Sequence, residues 1–314
     1  MQITDFSLQV QQLLQQVQQQ AQKEIILESN GRHEDWLAFD QSGHKVDAAG
    51  KIHLQMAHSS IPDFTLAHEL RHIEWELQDY ARIKFPLTTG QPELDRQLKI
   101  TASSLIGSVE HLLIMQKQRK QGEVTAAVEK EFAKGISQNL AWQDVNLDNY
   151  FIYYTLILLD ILTLSQGQDL DHWQQHYPKA YAAASKLYQQ IAENTRPTAF
   201  SVRRQQVRLL ELFAQLLVEN SYPFLPLNDF VLIEPVVSSR QLRLTLGQVF
   251  QIKHSELKDL KTNNRALILV ELTDQQNAAV LRFQHELTPE QYRQLYQMNV
   301  REFLQMQQVH YYLR

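Results

Sequence analysis

The sequence predicts a mostly helical α+β fold in three successive domains. Three observations carry this. Apolar residues recur at helical intervals over most of the first 220 positions. After the cluster Tyr222-Pro223-Phe224-Leu225-Pro226 the pattern changes to short strand-like runs. And 314 residues exceed what one small core organises, so two or three domains is the expectation. Boundaries are drawn at 1–122 for an N-terminal α+β domain, 123–222 for a helical middle domain and 223–314 for a small α+β domain.

Residues 5–22 read as a first helix, with Phe6, Val10, Leu13, Leu14 and Val17 on one stripe. The many glutamines from Gln9 to Gln22 sit between those apolar positions, as on a solvated helix face rather than in low complexity. Glu24–Glu28 reads as a short strand, closed by a turn at Ser29-Asn30-Gly31, and Trp36–Phe39 as a second strand. Lys51–Ala57 (KIHLQMA) alternates, with Ile52, Leu54 and Met56 on one face. A helix over about 61–81 follows, with Ser60 as N-cap, Pro62 in the first turn and Asp63 completing a capping box. A long helix is expected over 93–120, then helices near 123–138, 147–165, 169–193 and 199–220. The last domain reads as strands 230–237, 242–246, 249–253, 266–272 and 278–283, ending in one helix from Thr288 to about 308.

Composition excludes several classes. Hydrophobic residues are 44% and charged residues 21%, as in ordinary soluble domains. A net charge of −5 does not suit a phosphate-binding surface, so no nucleic-acid partner is expected. The absence of cysteine rules out a disulfide framework and leaves only nitrogen and oxygen as metal ligands. The start of the chain lacks the basic and apolar regions of a secretory signal. Phe151–Leu164, the most apolar run, falls short of the roughly 20 residues that cross a bilayer and contains Asp160. A cytoplasmic protein with no membrane partner is the expectation; its oligomeric state is not specified.

The segment HELRH, His68 to His72, carries the chemistry. Two histidines four apart on a helix share a face about 5–6 Å apart, so both rings can converge on one ion at roughly 2.0–2.1 Å. Glu69 lies about 100° round the helix, where it can reach the attacking water without taking a ligand position. Chance produces this spacing in roughly 3% of chains of this composition. Leu66, Leu70, Ile73 and Leu77 form an apolar stripe, while Phe64 and Trp75 flank the histidines. A purely solvated face would not carry those aromatic rings. A third protein ligand is needed. Glu76 and Asp79 lie too far along the same helix to turn back. Glu110 on helix 93–120 is favoured, because it sits beside the stripe Leu98, Ala102, Leu105, Val109 and Leu112 with Ile106 and Leu113 near. A carboxylate in that setting needs a compensating partner. A salt bridge to Arg71 is the plainer reading of Glu110. His111 is read as projecting away, outside the ligand set or exposed.

HELRH on a helix, after an edge-like strand and before a helix bearing a glutamate, resembles the gluzincin metallopeptidases. The compact layout of residues 1–120 looks most like the minimal zincin domain of the ImmA/IrrE family. The resemblance implies a zincin-like domain, zinc held by His68, His72 and Glu110, Glu69 as general base, and a peptide or protein as substrate. No glycine and third histidine follow at the metzincin spacing. The third-ligand helix reads SLIGSVEH, without the Asn-Glu or Glu-Asn signatures of larger gluzincins. An oxyanion donor could come from Tyr150, Tyr153, Tyr154, His172 or His176, though packing is the plainer role for these, and either His53 or His58 could line a cleft. Arg203, Arg204, Arg208 and Lys186 read as a solvated basic face. The leading expectation is a zinc metallopeptidase. The alternative is a regulatory or binding module that keeps the zincin fold and cleaves little.

Overall fold

The computed structural model describes residues 2–33, 42–140, 150–167 and 171–314. The expected strand Trp36–Phe39 lies outside them. The fold is a mostly helical α+β fold, as the periodicities predict. Packing divides the chain into two compact units, neither of them one continuous segment. The first comprises 1–78, 110–150 and 163–169, and the second 79–109, 151–162 and 170–314. The interval 123–222 is thus shared between them.

The first unit begins with α1 (Leu8–Ala21), whose stripe Val10, Leu13, Leu14 and Val17 is buried. A sheet of order β1-β3-β2 follows, formed by β1 (Ile25–His33), β2 (Gly43–Val46) and β3 (Ile52–His58). β1 pairs parallel and β2 antiparallel with β3. KIHLQMA is therefore the central strand, not an edge, because the unexpected strand β2 covers its second side. β1 also runs on through the expected turn at Ser29-Asn30-Gly31. The turn chemistry is present: Gly31 N–H donates to Ser29 Oγ and Arg32 N–H to Asn30 Oδ1. Gly31 takes a positive φ of 75°. These bonds shift the register between Ser29 and His33 instead of reversing the chain.

Helix α2 (Pro62–Glu76) packs Leu66, Ala67, Leu70 and Ile73 into one core with α1 and the inner face of β3. It starts at N-cap Ile61, without a side-chain cap. The expected capping box is not made. Ser60 Oγ donates instead to Glu131 at 2.9 Å, and Asp63 accepts from Ser7 N–H. The helix ends five residues before position 81, and Leu77, expected on the stripe, is exposed. Helix α3 (Pro92–Lys120) is long and apolar enough to span a membrane by length and composition. Its apolar window is 56% buried within the protein, and a core helix passes the same test. Residues 110–120 belong to the first unit. α4 (Ala126–Leu140) completes the helices of this unit, along with the end of α5 (Phe151–Ser165).

The second unit holds two short strands, β4 (Ile83–Lys84) and β5 (Leu87–Thr88), then α6 (Asp171–His176), α7 (Pro178–Asn194) and α8 (Ala199–Glu219). Pro178 splits the expected helix 169–193, since it lacks the N–H that would continue α6. After α9 (Leu227–Phe230) come β6 (Leu232–Ile233) and β7 (Val236–Val237). Residues 242–246, expected as a strand, fall in and between two 3-10 turns, Gln241–Arg243 and Leu246–Gln248. β8 (Phe250–Asp259), β9 (Arg265–Glu271) and β10 (Asn277–Leu281) form an antiparallel sheet in the order β10-β9-β8-β5. The expected last helix is two helices, α10 (Pro289–Gln297) and α11 (Val300–Met306), because Asn299 caps α11 through Arg301 N–H. β11 (Tyr312–Leu313) pairs with β7.

Candidate metal centre

Two ion-paired latches set the approach of α3 to α2. Buried Arg71 donates to Glu74 at 2.7 Å and also to Gln121 and Glu123. Lys117 donates to the same Glu74 oxygen at 2.7 Å. Arg71 thus directs both terminal nitrogens here rather than to Glu110.

Within that frame HELRH behaves as its spacing demands. The Nε2 atoms of His68 and His72 stand 3.2 Å apart. Phe64 stacks on His68 with ring centroids 5.8 Å apart. Each histidine is oriented through its other nitrogen. Gln118 turns its carbonyl oxygen to His68 Nδ1 at 2.9 Å, and Glu110 takes His72 Nδ1 at 2.6 Å. A ring that gives its Nδ1 proton to an oxygen keeps the lone pair on Nε2. Burial also holds both rings neutral, His68 well below its ordinary range and His72 down to about 3. The charges of neighbouring histidines act in the same direction. At 3.2 Å the two Nε2 atoms are within hydrogen-bond reach of each other and at the spacing of two nitrogens on one ion. Two ligands of a tetrahedral zinc at 2.0–2.1 Å are themselves about 3.3 Å apart.

The third imidazole is His111. Its ring centroid lies 5.5 Å from that of His68 and 5.0 Å from that of His72. One nitrogen from each of the three rings falls within 4.8 Å of the others. The expectation that His111 projects away is overturned, while Glu110 is found on the outer nitrogen of His72. The neighbouring residues Glu110 and His111 of α3 thus both meet the histidines of α2. The sequence does contain the signal, a second histidine-carboxylate pair at Glu110-His111, but angles about one helix axis cannot say which member meets another helix.

Glu69 is 5% exposed. Burial pushes its carboxyl up to about 7, against the favourable charges of His44 and His111. A proton acceptor balanced near neutrality, beside three converging imidazoles, can take a proton from water and return it. The sequence reading missed His44 entirely. It lies on β2 with Nε2 3.2 Å from Glu76 Oε2.

The other candidates differ in setting. His53 is clamped on the sheet between Glu28 and Asp47, at 2.6 and 3.0 Å. His58 is exposed at the end of β3. Tyr150 is exposed, Tyr153, Tyr154 and His176 belong to the second unit, and the side chain of His172 is outside the described residues. Arg203 is not on a solvated face: it is buried against Glu234 O, Glu271 and Asp274. Arg204 and Arg208 are exposed as expected. No family model, curated protein or solved structure matches the chain.

Proposed function

We propose that the chain is a zinc-dependent peptidase, with His68, His72 and His111 as ligands and Glu69 as general base. The observation that carries this reading is the 3.2 Å approach of the His68 and His72 Nε2 atoms, closed by a third imidazole. Three imidazoles and no thiolate form a donor set suited to zinc. Glu110, the ligand expected from the sequence, takes the supporting role: it fixes the tautomer and direction of the His72 ring, as Gln118 does for His68.

When bound, the ion supplies Lewis acidity, which polarises a carbonyl and acidifies water. Glu69 accepts the proton of the attacking water as the C–O bond forms. It then delivers that proton to the amine as the C–N bond breaks. Phe64 and the buried side of α2 limit water at the site, which strengthens each of these charge interactions. A peptide substrate is favoured by β2, which among the described strands has β3 as its only partner. An extended backbone can add to such an edge by main-chain hydrogen bonds.

Substitution Glu69→Gln tests the reading. The variant should keep one zinc per chain and lose roughly 10²–10⁴ in hydrolysis of an unstructured protein, the range of a general base. A zinc-loaded parent that cleaves nothing in a peptide library rules out the peptidase and leaves the binding-module alternative.

A further inference from the structure

We infer that His44 is a catalytic residue of this same centre, donating from Nδ1 to the substrate carbonyl oxygen as that oxygen gains negative charge. The inference rests on the peptidase reading, which it deepens. His44 sits opposite Leu54 in the antiparallel pairing of β2 with β3, on the strand whose other side is without a partner among the described strands. Its Nε2 is bound to Glu76, which follows His72 by four residues and so shares its face of α2 one turn on. The His44 side chain is 12% exposed, although Glu76 itself is 53% exposed. The ring is therefore covered by the protein while anchored at the rim of the metal helix. Among the described residues nothing binds its Nδ1.

The electrostatics suit a donor. The Glu76 hydrogen bond raises the proton affinity of His44 above its ordinary value, against the cost of burial, and the charges of Glu76, Glu69 and Glu110 add to it. The Nε2 atoms of His68 and His72 turn to each other while that of His44 turns to Glu76, so the three rings differ in duty. Glu69 is already assigned the transferred proton. In this role His44 shares its Nδ1 proton with the oxyanion without transferring it, so the step balances without a further co-reactant. A fixed cationic donor aimed at developing negative charge stabilises a transition state more than a ground state. His44 is not a fourth ligand, because Glu76 holds its Nε2 and the converging nitrogens are those of His68, His72 and His111.

The test uses the full chain and reads binding rather than turnover. Zinc content is measured in the parent, His44→Gln and Glu76→Gln. Calorimetry then follows acetohydroxamate, which grips the ion alone, and inorganic phosphate, a tetrahedral anion that also needs the donor. The expected result is equal zinc, equal acetohydroxamate affinity, and phosphate affinity about tenfold lower in His44→Gln, the scale of one charge-assisted hydrogen bond. Glu76→Gln should show a smaller loss in the same direction. Equal phosphate affinity in the parent and His44→Gln overturns the role of His44 while the metal centre stands. A parent that takes up neither zinc nor acetohydroxamate overturns the metal reading, and this inference with it.

Discussion

Glu110 and His111 are adjacent on α3 and divide two tasks between them. His111 faces His68 and His72, whereas Glu110 holds the far nitrogen of His72. Their substitutions should separate accordingly. Glu110→Ala should weaken zinc binding by about 10–100-fold, the usual cost of losing a partner that orients a ligand. His111→Ala should weaken it further, since a ligand is lost outright. Competition with a chromogenic chelator measures both, and a smaller effect for His111 than for Glu110 would return the ligand role to the carboxylate. The pair also shows how far residues could be read from sequence. His68, His72 and Glu69 were legible because all three lie on one helix, whose geometry is fixed by its repeat. Glu110 stands out in the sequence as a carboxylate in apolar surroundings, where a metal ion is the expected partner. The partner was an imidazole N–H, which no spacing within α3 encodes.

Among the elements, the sheet of the first unit is tied by one side chain. His53 on β3 reaches Glu28 on β1 with Nδ1 and Asp47, just after β2, with Nε2. The hydrogen bonds of Asp47 and Glu28 raise the proton affinity of His53, and that of His53 lowers both carboxyls. The raised histidine contributes stability below its unfolded value of 6.5 and loses it as pH rises through its higher folded value. The lowered carboxyls contribute above their unfolded values of 4.5 and 3.8 and lose it as pH falls through their folded ones. The clamp therefore helps most between about pH 4.5 and 6.5. Urea melts of His53→Gln should show its deficit there, shrinking above pH 7; a deficit independent of pH would remove the ion pairs from the account. A second tie sits in the other unit, where Arg203 of α8 meets Glu234 O, Glu271 of β9 and Asp274. Arg203→Ala should cost about 3–5 kcal/mol by stranding buried Glu271, and exposed Arg204→Ala no more than about 0.5 kcal/mol. Chemical denaturation compares them, and equal costs would place Arg203 at the surface as its sequence suggested. The strongly periodic α1, β3 and α3 were legible because their pattern is local. β2, with Val46 its only aliphatic residue, gave no alternation to find, and the two-residue strands exist only by pairing with distant partners.

At the scale of the whole molecule, an ion that binds only the folded chain must add to its stability. At free zinc about a hundredfold above Kd the gain is about 2.7 kcal/mol, several degrees in Tm. Scanning calorimetry should show that shift with zinc, its loss with chelator, and no shift in the His68→Ala/His72→Ala double variant; a zinc response that survives in that variant would locate the ion elsewhere. The centre also has a history in time. The first unit is assembled from 1–78 and 110–150 with 79–109 set aside for the other unit, so its histidines leave the ribosome in two instalments. At about 5–20 residues per second, His72 precedes His111 by roughly 2–8 s. During that interval the nascent chain carries a two-histidine helix that cannot yet close around anything. The imidazole that the sequence made hardest to recognise is also the last of the three to be synthesised, and the group is complete only with it.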